Sequence, residues 1–167
     1  SRLFTIVFSW AFWFVRRFDY WAAQRPDTLI ANSRYIADKV KRYYKRDATV
    51  VYPPVSDFWF QKPSTHNLVP ETSPHPYYLA AGRLLHYKRF DLIIDAFGEL
   101  GFSLRIVGAG PEEENLRARA KQFKNIQFLG FLKDDAELRR LYAGARAFIM
   151  ANEEDFGLVM AEAIASG

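Results

Sequence analysis

The sequence predicts an α/β fold in which a parallel sheet is flanked by helices. From residue 77 onward, short apolar runs alternate with amphipathic helical segments across short connections. That order is typical of a parallel sheet with right-handed crossovers. The apolar runs are also continuous and do not alternate with polar residues, as expected of strands covered on both faces.

Composition narrows the classes of function. The 167 residues are 50% hydrophobic and 25% charged, which indicates a globular and soluble chain. There is no cysteine, so disulfides and thiolate chemistry are excluded. The three histidines have no spacing typical of metal ligands, and we predict no metal.

The net charge of +4 favours an anionic partner. The basic residues form no dense block and have acidic neighbours, so we predict no nucleic-acid binding. Nucleotide phosphates or anionic lipid fit this distribution better.

The first part of the chain predicts two short strands, 27–31 and 48–52, with a helix between them capped at Asn32 or Ser33. Residues 58–76 contain Pro63, Pro70, Pro74 and Pro76 and show no periodicity. We interpret 58–76 as an interdomain linker.

Residues 3–15 form an apolar, aromatic run followed at once by Arg16 and Arg17. The run is too short to span a bilayer, and a secretory signal would carry its positive charges before the run. Two interpretations stay open. One is a buried helix truncated at its start; the other is an interfacial helix over 3–18 whose aromatic side chains enter a bilayer, with basic residues facing anionic lipid.

The second part predicts four strands, at 77–81, 104–107, 126–129 and 146–150. The helices between them have apolar positions at helical spacing. These inner positions are Ile93, Phe97 and Leu100 in the first helix, Leu116, Ala120 and Phe123 in the second, and Leu138, Leu141 and Tyr142 in the third.

The stretch after the last strand is the strongest candidate site. Three carboxylates, at residues 153–155, precede Phe156-Gly157 and a helix of small residues. A glycine turn opening a helix places free N–H groups and the positive end of the helix dipole at one point, which suits a phosphate. Glu154 and Glu162 flank this point, and carboxylates there suit the hydroxyls of a sugar or ribose.

Two other loops at strand ends belong to the same edge. Gly82-Arg83 with Lys88-Arg89 supplies cations for a diphosphate. Gly108-Ala-Gly110 is a partial dinucleotide fingerprint without its third glycine, since Glu113 occupies that place. We interpret Gly108 and Gly110 as a tight turn lining the cleft, and from position we expect Phe131 and Leu132 to border the base.

These motifs resemble those of the retaining GT-B glycosyltransferases of family 4, also called glycosyl transferases group 1. The matching strings are Glu154-Asp-Phe-Gly-Leu-Val-x-x-Glu162, Gly82-Arg-Leu-x3-Lys88-Arg-x-Asp91, and the earlier Ala31-Asn-Ser and Pro53-Pro-Val55. The resemblance covers nearly the whole chain, in the family's order.

The resemblance implies a role for each matching residue. Arg83 and Lys88 would bind the donor diphosphate, together with backbone N–H groups at Gly157, Leu158 and Val159. Glu162 would bind the ribose. Glu154 would be the catalytic carboxylate that contacts the donor sugar, without being assigned as a nucleophile, and Asp155 and Phe156 would lie beside that sugar.

The resemblance also implies an organisation. Residues 1–57 would be the tail of an acceptor-side, Rossmann-like domain. Residues 77–167 would be most of the Rossmann-like donor domain, truncated before its last strand. A chain of this extent would bind a nucleotide sugar yet transfer nothing alone.

The activity implied is retaining transfer of a hexose from a nucleotide sugar to a hydroxyl of a glycan or lipid-linked acceptor, without a metal or other cofactor. Glu153-Glu-Asp-Phe-Gly157 looks most like mannosyltransferases that use GDP-mannose. Such an enzyme is expected in the cytoplasm, on the inner face of the plasma membrane if the 3–18 helix binds lipid.

Other functions stay open. A GT-B epimerase of nucleotide sugars would share the donor site and would release an epimerised sugar without an acceptor. A non-catalytic module for membrane docking or partner binding would bind no nucleotide. An NAD-dependent dehydrogenase is disfavoured by the broken glycine pattern.

Overall fold

The computed structural model of the protein describes residues 2–61 and 76–167, with side chains from residue 10 onward in the first helix. The chain divides into two compact units, Ser1–Pro53 and Pro54–Gly167. The predicted linker residues 62–75 lie outside the described residues.

The first unit is built from α1 (Arg2–Ala23), β1 (Ile30–Ala31), α2 (Arg34–Tyr44) and β2 (Thr49–Val50). Both strands are shorter than predicted and pair in parallel, with Ile30 opposite Thr49. Helix α2 begins where the sequence predicts, because Ser33 Oγ accepts the Ile36 N–H at 3.1 Å. The predicted βαβ order of this segment is therefore present.

Helix α1 runs beyond the predicted 3–15 segment and through the two arginines. From residue 10 its aromatic side chains are exposed, Trp10 by 63% and Phe18 by 66%. The expectation of a buried helix therefore does not hold for the described side chains of this unit. Within the described ranges, none of the helices has the length and hydropathy needed to cross a membrane.

The second unit contains the predicted parallel sheet. Its described strands lie in the order β5-β4-β3-β6, and all pairs are parallel. The elements along the chain are α3 (Asp57–Phe60), β3 (Tyr77–Ala81), a 3₁₀ turn (His86–Lys88), α4 (Phe90–Leu100), β4 (Ser103–Val107), α5 (Glu113–Ala120), β5 (Ile126–Gly130), α6 (Asp135–Ala143), β6 (Ala147–Phe148) and α7 (Leu158–Ala165). The predicted α/β fold is confirmed, although β6 is shorter than the expected 146–150.

The strands alternate their side chains between two packed layers. Ala80, Leu104 and Ile106 face α4 and α5, and all three are fully buried. Tyr77, Leu79 and Val107 face the opposite layer, formed by α3, α6 and α7. The sheet is therefore covered on both faces, which explains the continuous apolar runs.

Two features of this unit differ from the sequence prediction. Leu100, expected on the inner face of α4, is 59% exposed, because the helix ends there in a left-handed Gly101 cap. Helix α3 was not predicted; it includes residues 58–60 of the proposed linker. Trp59 of α3 is buried against Tyr142, with ring centres 5.8 Å apart.

Candidate functional site

A cleft of about 410 Å³ opens at the carboxyl ends of the parallel strands. Parallel strands bring their following loops to one edge, where ligands bind in open α/β sheets. The cleft is lined by Ala81, Gly82, Arg83, Val107, Gly108, Ala109, Phe131, Leu132, Leu138, Tyr142, Val159 and Glu162. Six residues that the sequence predicts for the site are among them: Arg83, Gly108, Phe131, Leu132, Val159 and Glu162.

The floor of the cleft is held by backbone contacts between two loops. Gly82 N donates to Val107 O at 3.0 Å, and Leu84 N donates to Ala109 O at 3.0 Å. A Cβ on Gly108 would overlap the carbonyl oxygen of Gly82, and one on Gly110 would overlap that of Leu84. Both glycines are therefore needed for close backbone approach. Gly110 itself is not among the residues lining the cleft.

The three basic side chains of the loop after β3 have different surroundings. Arg83 lines the cleft and is exposed. Lys88 lies close to the cleft residue Gly82, with Nζ 3.9 Å from the position that a Cβ would take on that glycine. Arg89 instead pairs with Asp91, with Nε 3.0 Å from Oδ1. Arg83 and Lys88 are thus the loop cations nearest the cleft.

Glu154 forms an ion pair with Lys88, and the two side chains are only 22% and 15% exposed. Asn152 Nδ2 donates to the same carboxylate at 2.9 Å. Burial favours the neutral acid, but the hydrogen bonds from Lys88 and Asn152 outweigh it and lower the pKa of Glu154. Glu154 is therefore an anion held between two elements, ready to accept hydrogen bonds.

Glu162 lies on helix α7 and lines the cleft. Burial, and then the negative charge of Asp135, raise the pKa of this carboxyl. The structure thus places the two predicted glutamates in opposite electrostatic settings. Glu154 is compensated by a cation, while Glu162 faces the cleft with uncompensated negative charge beside it.

Helix α7 begins at Gly157, whose left-handed backbone (φ 82°) turns the chain into the helix. Its first turn, Leu158-Val-Met160, carries no acidic residue. The first N–H groups of a helix have no partner within it, so they and the helix dipole give the predicted anion site a suitable geometry. Val159 of this turn reaches the cleft, whereas Leu158 and Asp155 are exposed and Phe156 is partly buried outside its lining.

Two polar residues at the site were not predicted as functional. Asn152 directly precedes the acidic segment, and this position was the feature of the sequence that could have identified it as a site residue. Tyr142 was predicted only as a core residue; it lines the cleft, and its buried hydroxyl has no hydrogen-bond partner among the described residues. Burial, with the negative charges of Glu162 and Asp135, raises the pKa of Tyr142, so its hydroxyl stays protonated.

The sequence profile of a known family, described as "Glycosyl transferases group 1", matches residues 62–167. An uncharacterized glycosyltransferase of Haemophilus influenzae is 27% identical over 128 residues, covering 65% of this chain and 36% of that protein. The D-rhamnosyltransferase WbpZ of Pseudomonas aeruginosa is 28% identical over 109 residues, covering 63% of this chain and 28% of that protein.

Solved structures show the same fold. Anabaena Alr3699/HepE in complex with UDP and glucose is similar with a TM-score of 0.72 and 21% identity, over 90% of this chain and 46% of that one. Sucrose-phosphate synthase from Thermosynechococcus elongatus has a TM-score of 0.71 and 21% identity, over 91% of this chain and 42% of that one.

The chain spans 36% and 28% of the lengths of the two curated relatives it matches. The family match covers residues 62–167, which is most of the second unit and includes the cleft, the cationic loop and both glutamates. The chain therefore belongs to the glycosyl transferases group 1 family.

Proposed function

We propose that the protein is a retaining glycosyltransferase that moves mannose from GDP-mannose to an acceptor hydroxyl, with this chain supplying the donor-binding half. The observation that carries the proposal is the convergence of Arg83, Glu162 and the start of helix α7 on one cleft. A nucleoside diphosphate has the anionic and hydroxyl groups that such a set would bind.

The diphosphate would lie between Arg83 and the N–H groups of residues 157–159, with Lys88 close by. Cations and helix N–H groups stabilise the charge that grows on a departing diphosphate. Glu162 would accept hydrogen bonds from the ribose. Glu154 would accept them from hydroxyls of the donor sugar, with Asp155 and Phe156 on the same side.

In the proposed reaction the bond from the sugar C1 to the phosphate oxygen breaks. A new bond from C1 to the acceptor oxygen forms on the same face, and the leaving phosphate takes the acceptor proton. The chain's role is to position the donor and to stabilise the leaving group, without a metal. Glu154 has no role as a nucleophile in this scheme.

Mannose is favoured by the resemblance of the 153–157 segment to mannosyltransferases that use GDP-mannose. The similar proteins include enzymes and complexes with other sugars and nucleotides. One is a D-rhamnosyltransferase, and UDP is the nucleotide in the Alr3699/HepE complex. Uridine and adenine nucleotides therefore belong in the same experiment as guanine nucleotides.

The test is calorimetric titration of the full-length protein with GDP, UDP and ADP, followed by the matching sugar nucleotides. Arg83→Ala and Glu162→Ala should each weaken binding about tenfold or more, since each removes hydrogen bonds to a charged group. Arg117→Ala is the control, because Arg117 is exposed and pairs with Glu113 on α5. A folded protein that binds none of these nucleotides would contradict the proposal, and epimerised sugar released without an acceptor would favour the epimerase.

For the acceptor we propose a glycan or lipid-linked hydroxyl, reached through peripheral contact of helix α1 with the inner face of the plasma membrane. Residues 1–53 contain ten Lys and Arg against four Asp and Glu. The Arg17 guanidinium lies 5.6 Å from the ring centre of the exposed Trp13. Aromatic and cationic side chains in this combination suit an anionic lipid surface. Equal recovery with phosphatidylglycerol and phosphatidylcholine vesicles in a flotation assay would count against this contact.

A further inference from the structure

Asn152 is fixed at the start of the acidic segment by two hydrogen bonds from one side-chain nitrogen. Its Nδ2 donates to Glu154 Oε1 at 2.9 Å and to the backbone oxygen of Glu153 at 3.0 Å. Both partners are acceptors, so the opposite amide orientation would place oxygen against oxygen. The contacts therefore define which end of the amide faces Glu154.

The carboxylate oxygen that Asn152 holds is also the one bound by Lys88. The two donors come from different places, Lys88 from the loop after β3 and Asn152 from the segment of Glu154 itself. They also differ in charge. Lys88 is a cation on a four-carbon stem with several rotatable bonds, whereas Asn152 is neutral and also donates to the backbone at Glu153.

A bound diphosphate would compete for Lys88. Phosphate oxygens attract an ammonium group strongly, and Lys88 Nζ already lies near Gly82 in the cleft lining. Each hydrogen bond that Lys88 makes to phosphate weakens its hold on Glu154. The neutral amide of Asn152 gains far less from the phosphate, so it can remain on the carboxylate.

We propose that Asn152 is a positioning residue for donor-sugar binding, which holds the Glu154 carboxylate in place when Lys88 turns to the diphosphate. This inference rests on the proposed function of the cleft. The inference extends that function by giving Asn152 a part in binding the sugar and none in binding the nucleotide. Asn152 contacts neither of them and acts through Glu154.

The experiment compares GDP with GDP-mannose as ligands of the full-length protein. In Asn152→Ala the affinity for GDP should stay within about twofold, while that for GDP-mannose falls about tenfold, the scale of one lost hydrogen bond to a charged group. Asn152→Gln, which keeps the amide, should retain most of the GDP-mannose affinity. Asn115→Ala removes an exposed amide from α5 and should change neither ligand.

A parallel loss for both ligands would overturn the proposal, because it would mean that Asn152 only supports the loop that leads to Gly157. Unchanged binding of both ligands would overturn it too. If the unmodified protein bound neither ligand, the proposed function would fail with it.

A second measurement tests the contact between Asn152 and Glu154 directly and needs no ligand. Carbon-13 NMR titration of the Glu154 carboxyl should show a higher pKa in Asn152→Ala, because a donor that favours the charged form has been removed. An unchanged pKa would overturn the contact itself, whatever the cleft binds.

Discussion

Two strand-to-helix turns at the same sheet edge look alike in sequence but differ in structure. One joins β4 to α5 through Gly108-Ala-Gly110; the other joins β6 to α7 through Gly157. Each places glycine between a buried strand and a helix, which is the local signal of a phosphate site.

The β4–α5 turn is closed by backbone. Glu112 N donates to Leu84 O at 3.1 Å, and Glu113 N donates to Gly110 O at 3.0 Å. The first turn of α5 also carries Glu113 and Glu114, whose charge would repel a phosphate. This turn therefore shapes the cleft floor, and its N–H groups and charge do not suit an anion.

The β6–α7 turn has the opposite character. Its first helical residues are apolar, and because its N-cap is Gly157, that position has no side chain with which to cap the helix. Glycine alone therefore does not distinguish the two turns. On the proposed function, an anion binds only where the first N–H groups of the helix are available and the first turn carries no negative charge.

Gly108→Ala should have the largest effect, because it breaks the closed turn. The new Cβ would overlap the Gly82 carbonyl, and φ of 134° disfavours any side chain. We expect a loss of more than about 3 kcal/mol in the free energy of unfolding, measured by urea denaturation.

Gly130→Ala is the matched control for that substitution. Gly130 also has positive φ, 74°, but a Cβ there would meet nothing within 4 Å. Its cost should be the conformational part alone, about 1–2 kcal/mol. If the two variants lost the same free energy of unfolding, the cause would be backbone strain at positive φ, and not the overlap with the Gly82 carbonyl in the β4–α5 turn.

Leu158→Glu should have the next largest effect, since it gives α7 the acidic first turn that α5 has. Leu158 is 43% exposed, so the fold should tolerate the change. The helix dipole favours the new charge slightly, but a bound diphosphate would be repelled, and nucleotide affinity should fall about tenfold or more. Calorimetry measures both this variant and Ile164→Glu, which carries the same charge at the exposed far end of α7 and should bind normally.

Glu162→Gln should have the smallest effect on stability, with a defined sign. The raised pKa of Glu162 means that its ionised form disfavours the folded state at neutral pH. Removing the charge should raise Tm by a few degrees at most, because the group is partly exposed. The difference should vanish as pH falls below about 4, where the unfolded carboxyl is protonated too. Thermal melts across that range measure it, and a difference independent of pH would contradict the electrostatic cause.

The sequence by itself determined the local features of this protein. Strand 77–81 has its predicted boundaries, and Ser33 caps helix α2 at one of the two positions predicted for that cap. The order of motifs along the chain indicated the family before any contact was known. These features depend on residues a few positions apart, so periodicity and capping chemistry specify them.

Only the tertiary structure decided which side chains meet. Lys88 and Glu154 are 66 residues apart, and their pairing depends on how the β3 and β6 loops converge. Arg89, equally basic, instead pairs with Asp91. The packing of Trp59 and the exposure of Leu100 were likewise set by neighbouring elements. Side-chain pairing is a property of converging loops, and no local pattern encodes where a distant loop ends.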